Sequence, residues 1–283
     1  PDPRISQLRA YLLENPRIIP AHAGRLATWD AVPCPLSPEV VGVRQGQLGD
    51  CYLMATLSAL IKNRVPIADQ LIRQLDEQIP EEPVVFSVKL FLDDRGTPQV
   101  REVLVDTREI LIEGTFPLDA ARNPLYSGRI TGREDIRTIN LAALLIEKAY
   151  AKAMGGYAHI ASGSPEQAFK LLTGREAVRL PLTRVALLAA RDRPVVCSSK
   201  RAVHRSDHPE AARSDHAILT AKIEAGGIVL YDQTMPEGPG TIECPFEEDG
   251  LPDHVTKILG KRVDGVRVEY NYTYYFDYFT CLD

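Results

Sequence analysis

One cysteine in this chain has neighbours that suit a reactive thiol. Cys51 follows Gln45-Gly46-Gln47-Leu48-Gly49-Asp50 and is followed at once by an apolar run. Leu53, Met54, Leu57, Leu60 and Ile61 recur at helical spacing, which predicts a buried helix starting at the cysteine. Asp50 is the expected N-cap, so Cys51 falls in the first turn, where free backbone N–H groups and the positive end of the helix dipole favour a thiolate. Gly46 and Gly49 allow the preceding loop to fold back closely. Gln45 then stands where its carboxamide can donate to an oxyanion. The same residues taken alone also fit an inert, buried structural cysteine.

A thiolate nucleophile needs a base, and the base needs a group to orient it. Among six histidines, His216 is the one that precedes a strand-like run, Ala217-Ile218-Leu219-Thr220-Ala221, after a polar stretch from Lys200 to Asp215 read as a loop. Gly226-Gly227 predicts a turn, and Ile228-Val229-Leu230-Tyr231-Asp232 a returning antiparallel strand. Asp232 is therefore expected beside His216 as the acceptor for its N–H, with Gln233 as the fallback.

The elements that must hold these groups can be read in outline. Residues 1–43 combine a short amphipathic helix, Ile5 to Glu14, with proline-punctuated extended chain that Trp29 packs onto the body. After the cysteine helix, Pro66 breaks the pattern and a second helix is expected from Ala68 to Gln78. Val84 to Leu92 reads as a strand with Phe86, Val88, Leu90 and Leu92 on one face, and Asp93-Asp94-Arg95-Gly96 turns it into a return strand from Gln99 to Thr107. Residues 112–136 are loop-like, and a helix follows from Ile139 to Met154, with Glu147 and Lys148 expected as rim charges. Beyond Leu180-Pro181-Leu182 the composition turns to strands: Pro194 to Ser199, Ala217 to Ile223, Gly227 to Asp232 and Val263 to Asp277.

Two segments in order resemble one known family. The run from Gln45 to Leu60, QGQLGDCYLMATLSAL, is similar to the cysteine box of the calpain family of cysteine proteases, with Tyr52 where that family usually has tryptophan. About ninety residues later, Ala143 to Tyr157 resembles the family's ALLEKAYAK helix, and Gly163 to Gly174 continues the likeness. Asp215-His216-Ala217 resembles the start of the family's histidine strand, and the aromatic end, Tyr270 to Thr280, resembles the close of its protease core. The resemblance implies a papain-like α+β fold of two lobes: an arm over 1–43, a helical lobe over 44–180 carrying Cys51, and a β-rich lobe over 181–283 carrying His216 and Asp232. It implies a cysteine endopeptidase with catalytic Cys51, His216, Asp232 and Gln45. A thiol deamidase or acyltransferase, and a catalytically silent binding module, are the alternatives. The family's asparagine and the tryptophan after it are replaced, since this chain reads Asp232-Gln233-Thr234-Met235.

The family's calcium switch is not expected here. Val41-Gly42-Val43-Arg44 and Tyr157-Ala158 stand where the family has acidic ligands, and Arg44 puts a positive charge at the first position; Glu247, Glu248, Asp249 and Asp264 read as surface charges. No cofactor and no metal site are expected. His204 and His208 are four apart but lie among Lys200, Arg201, Arg205 and Arg213, which reads as a basic loop beside the cleft favouring acidic substrate flanks. A net charge of −5 argues against nucleic acid as the main partner, and no apolar run reaches membrane-spanning length. The partner implied is a protein or peptide substrate. Five cysteines without a CxxC pair suit a reducing compartment rather than a disulfide framework. The chain starts Pro1-Asp2-Pro3 without a methionine, so the missing signal peptide carries little weight.

Overall fold

Helix α1, Cys51–Lys62, is buried on every side, not along one stripe: all residues from Tyr52 to Ile61 are buried. Small residues such as Ala55, Ser58 and Ala59 let neighbours approach closely, and the Ser58 hydroxyl donates to the Met54 carbonyl at 2.8 Å, so its burial leaves no donor stranded. The computed structural model describes residues 18–19, 43, 45, 48–74, 85–94, 97–106, 109–110, 141–205, 208–234, 241–248, 250–263 and 266–283. The expected arm helix, Trp29, Arg44 and the loop over 112–136 lie outside the described residues.

After α1 come α2, Ile67–Leu71, and strand β1, Ile72–Gln74. The helix expected from Ala68 to Gln78 is therefore shorter, because Ile72 to Gln74 pair with Phe86 to Val88 on the next strand. Strands β2, Val85–Asp94, and β3, Thr97–Asp106, form the expected hairpin, with Phe86, Val88 and Leu90 turned to the core. Helix α3, Leu141–Met154, follows, then a 3-10 turn over Tyr157–Ile160, and α4, Pro165–Thr173. Ser164 and Gln167 make a reciprocal capping box at the start of α4, with Pro165 in its first turn, and Gly174 ends it in the left-handed conformation (φ 70°).

The remainder is one antiparallel sheet of seven strands with a short helix, α5, Arg184–Ala189, ahead of its main run. In chain order the strands are β4, Ala177–Leu180; β5, Val195–Arg205; β6, His208–Glu224; β7, Gly227–Tyr231; β8, Thr241–Pro245; β9, His254–Val263; and β10, Val266–Leu282. They lie in the order β8-β7-β6-β5-β10-β9, with β4 paired to β10. The stretch from Lys200 to Asp215 is not a loop. It is the outer half of a hairpin, with Lys200 opposite Asp215, Arg201 opposite Ser214 and Arg205 opposite His208. Its polar side chains hid the strands, but the backbone is paired: β5 lies between β6 and β10, which runs against it from Tyr270 to Cys281, and the outer part of β6 pairs with β5. His216 accordingly sits inside a strand rather than opening one.

One face of the sheet supplies Val196, Ala217 and Leu219 to the core around α1; alternate residues Val195, Cys197, Ile218 and Leu230 join Tyr274 and Phe279 in a second core behind it. Two close approaches seat the cysteine end of α1. The Tyr52 ring lies where a Cβ on Gly163 would come within 2.5 Å of it, and the Tyr52 hydroxyl donates to the Ile160 carbonyl at 3.1 Å. A Cβ on Gly49 would lie 2.4 Å from the Ala161 carbonyl oxygen. Both contacts tie the cysteine box to the segment after α3.

Gly163→Ala is expected to cost about 1–3 kcal/mol of stability by overpacking against Tyr52, measured by urea unfolding. In a Tyr52→Ala background the same substitution should cost almost nothing, because the ring it meets is gone; an equal cost in both backgrounds would contradict this packing.

Candidate active site

Cys51 is the first residue of α1 and is half-buried, while Cys197, Cys244 and Cys281 are buried; all four are free thiols. Asp50 occupies the N-cap position, but its side chain does not cap. Its backbone (φ −99°, ψ 28°) is not in the extended conformation that aims a cap oxygen at the first turn. Only its carbonyl serves the helix, accepting from Leu53 N at 2.9 Å and Met54 N at 3.1 Å. The Asp50 side chain is buried beside Glu147, which is itself fully buried inside α3 rather than at a rim. Burial, and then the neighbouring Glu147 carboxyl, hold Asp50 well above the usual carboxylate range.

His216 is brought to Cys51 by strand β6. The backbone N–H of the next residue, Ala217, donates to the Cys51 sulfur at 3.4 Å. His216 Nε2 lies 2.9 Å from Asp232 Oδ1, and the imidazole neighbours the sulfur closely enough to act on its pKa. With Nε2–H committed to the carboxylate, Nδ1 is the ring nitrogen left for the thiol. Burial alone would raise the Cys51 pKa; the hydrogen bond and charge of His216, aided by the Ala217 and Tyr52 N–H groups, outweigh it and hold the thiol below its ordinary value. Burial likewise opposes the His216 cation, yet Asp232 and then Cys51 raise its pKa. The two shifts run in the direction of a thiolate and an imidazolium.

Asp232 stands just beyond β7 with almost no solvent exposure. Besides His216, its Oδ1 accepts from the backbone N–H and hydroxyl of Thr234 at 2.9 and 2.7 Å, and its Oδ2 from Arg201 Nη1 at 3.0 Å and the Tyr274 hydroxyl at 2.7 Å. Burial pushes its pKa up, but the His216 and Arg201 charges and the Tyr274 hydrogen bond overcome that and hold it well below the usual range. Gln233, the fallback, is buried with its amide unpaired among the described residues and does not bond His216. Gln45 uses its amide within its own loop, Nε2 donating to the Leu48 carbonyl at 2.6 Å; a carboxamide has a second N–H for another acceptor.

Arg201 was expected on a basic loop facing substrate. Instead its guanidinium is turned into the Asp232 cage, where it also bonds Thr234 Oγ1. Tyr274, in the aromatic strand, was likewise not singled out. The missed signal was the hairpin register, which sets Arg201 between Ser214 and Tyr274 on one face of the sheet. The side chains of His204 and His208 lie outside the described residues. Among the described residues no group of three or more His, Cys, Asp or Glu side chains is arranged to hold a metal ion.

Iodoacetamide is expected to alkylate Cys51 selectively in the native protein, with a rate that falls off less below pH 8 than that of a free thiol of pKa about 8.5. Cys244, whose pKa burial pushes up to about 12, should react only after unfolding. His216→Ala should return Cys51 to ordinary thiol behaviour. Peptide mapping of labelled cysteines across pH 5–9 checks this, and an unchanged Cys51 profile in His216→Ala would contradict the pairing.

Comparison with known proteins gives this arrangement a family. The profile described as calpain family cysteine protease matches residues 37–224, a span that holds Cys51 and His216. A calpain from Schistosoma mansoni is 32% identical over 142 residues, which is 50% of this chain and 17% of that protein, so the match spans about a sixth of the relative. The chain belongs to the calpain family of cysteine proteases.

Proposed function

We propose that this chain is an active cysteine endopeptidase of papain-like, two-lobed form, with substrate lying between the helical part over 44–180 and the β-rich part over 181–283. The observation that carries the reading is that the Cys51 sulfur meets the sheet at Ala217 N–H, one residue beyond His216, whose ring lies 2.9 Å from the buried Asp232 carboxylate. In this reading the Cys51 thiolate attacks the carbonyl carbon of a peptide bond. The oxyanion is held by the Cys51 backbone N–H, which has no acceptor within α1 because it lies in the first turn, and by the N–H of Gln45 not given to Leu48. His216 passes its proton to the leaving amine, then takes one from water as the hydroxide equivalent releases the acyl group and regenerates the thiol pair. Asp232 orients the ring and stabilises its cation throughout. A protein or peptide is the proposed substrate. Nucleic acid and membrane are not proposed as partners; among the described residues no helix is long and apolar enough to cross a membrane. A reducing compartment suits a nucleophile that must stay a free thiol.

Activity is proposed to be independent of calcium. The support is the residue types named above, Arg44 and the Tyr157-Ala158 step, where Ala158 is exposed and has no ligand atom in its side chain.

Incubating the protein with an unfolded protein substrate in chelator and sequencing the new N-termini tests both points. Wild type should produce internal cuts, while Cys51→Ala and His216→Ala produce none. Gln45→Ala should retain activity reduced about 100- to 1000-fold. Activity that vanishes in chelator and returns with calcium would contradict the independence, and cuts by Cys51→Ala would contradict the nucleophile.

A further inference from the structure

Arg201 is the cation of the Asp232 cage. Its Nη1 lies 3.0 Å from Asp232 Oδ2 and 3.3 Å from His216 Nε2, and 18% of its side chain is exposed. Strand β5 fixes it there, since it pairs with Ser214 on β6 and Tyr274 on β10. A neutral acceptor would orient the His216 ring without changing the charge of the site. A carboxylate adds a full negative charge with 0% side-chain exposure, and a buried charge without a partner is costly. With Arg201 the carboxylate and guanidinium sum to zero, leaving the thiolate and imidazolium as a balanced pair.

We propose that Arg201 and Asp232 act as one neutral unit, in which Arg201 is a positioning residue that sets the pH range over which the Cys51 thiolate and His216 imidazolium coexist. This rests on the peptidase reading insofar as that pair is the reactive one. The other groups facing the cluster are accounted for. Tyr274 donates to Asp232, Tyr272 lies close to Arg201, and Asp50 with Glu147 sits beneath Cys51. Asp215 and Lys200, exposed next to the cluster, stand opposite each other across the hairpin.

The charges fix the sign of each effect. Removing the Arg201 cation makes every proton in the cluster bind more tightly, so the acid limb of Cys51 reactivity moves up in pH. Removing the Asp232 anion loosens every proton, so the limb moves down. Removing both restores the balance.

The test measures Cys51 alkylation by iodoacetamide against pH in wild type, Arg201→Gln, Asp232→Asn, the double variant and Arg201→Lys. The acid limb should move up by about one pH unit in Arg201→Gln and down by about as much in Asp232→Asn. It should return close to the wild-type position in the double variant and stay there in Arg201→Lys. Peptidase activity should fall at least about tenfold in each single neutral variant, and the double variant should lose no more than the worse of the two singles. Limbs displaced in the same direction in both singles, no displacement, or a double variant showing the product of the two losses would overturn the proposal. The singles each bury a lone charge, so they are the variants at risk of not folding. In that event the neutral double variant decides alone: a wild-type limb supports the unit, and a displaced limb overturns it. A wild-type Cys51 with an ordinary thiol limb would overturn the peptidase reading and this proposal together, whereas a low wild-type limb with Arg201→Gln unmoved overturns only this one.

Discussion

The site depends on a carboxylate that keeps its charge with no side-chain exposure to solvent. Asp232 accepts five hydrogen-bonding contacts, from His216, Arg201, Tyr274 and twice from Thr234. Transfer of such a charge out of water without partners would favour its neutral acid instead, and a neutral acid would hold the imidazole less firmly. The donors come from separate elements: β6 supplies His216, β5 Arg201, β10 Tyr274 and the turn after β7 Thr234. Four neighbouring parts of one sheet must therefore be in register for the carboxylate to remain ionised. That requirement connects the length of the hairpin and of the aromatic strand to the chemistry of a single side chain.

The thiol is positioned by different means. Helix α1 has no exposed face to slide along, and its first turn is clamped by aromatic and glycine contacts to the segment after α3. Tyr52 takes the position where the family usually has tryptophan; its ring fills the space over Gly163 and its hydroxyl reaches the Ile160 carbonyl. Burial together with Tyr150 beside it keeps the phenol protonated, so it remains a donor. The sulfur then meets the sheet at Ala217 N–H, one residue beyond the histidine. Beside it, burial and the neighbouring Glu147 carboxyl hold Asp50 well above the usual carboxylate range.

Local chemistry was legible in the sequence where it was carried by contiguous residues. The glycine-flanked cysteine ahead of an apolar helix, the histidine beside alternating apolar residues and the aspartate after the next turn are all short-range patterns, and the structure sets His216 against Asp232 and the next residue, Ala217, on the Cys51 sulfur. What could not be read depends on pairing between distant segments. The stretch from Lys200 to Asp215 is too polar to announce a strand, and without its register Arg201 looks like a surface charge. Glu147 looked like a rim residue because one sequence cannot show that Asp50 is buried against it. The strand His254–Val263 was also missed, and its partner extends to Leu282 as one continuous strand. Gln45 was found as a residue, but its bond to Leu48 is a property of the folded loop.

The central claim is that Asp232, kept ionised by its donors, holds His216 as an imidazolium paired with the Cys51 thiolate. Nitrogen NMR of the histidine rings in ¹⁵N-labelled protein, followed through a pH titration, tests it most directly. The account predicts that His216 keeps a proton on Nε2 throughout and loses its second proton above the ordinary histidine pKa of about 6.5, and that the Cys51→Ala substitution lowers this transition. A His216 ring that titrates at the ordinary value, with or without Cys51, would contradict it.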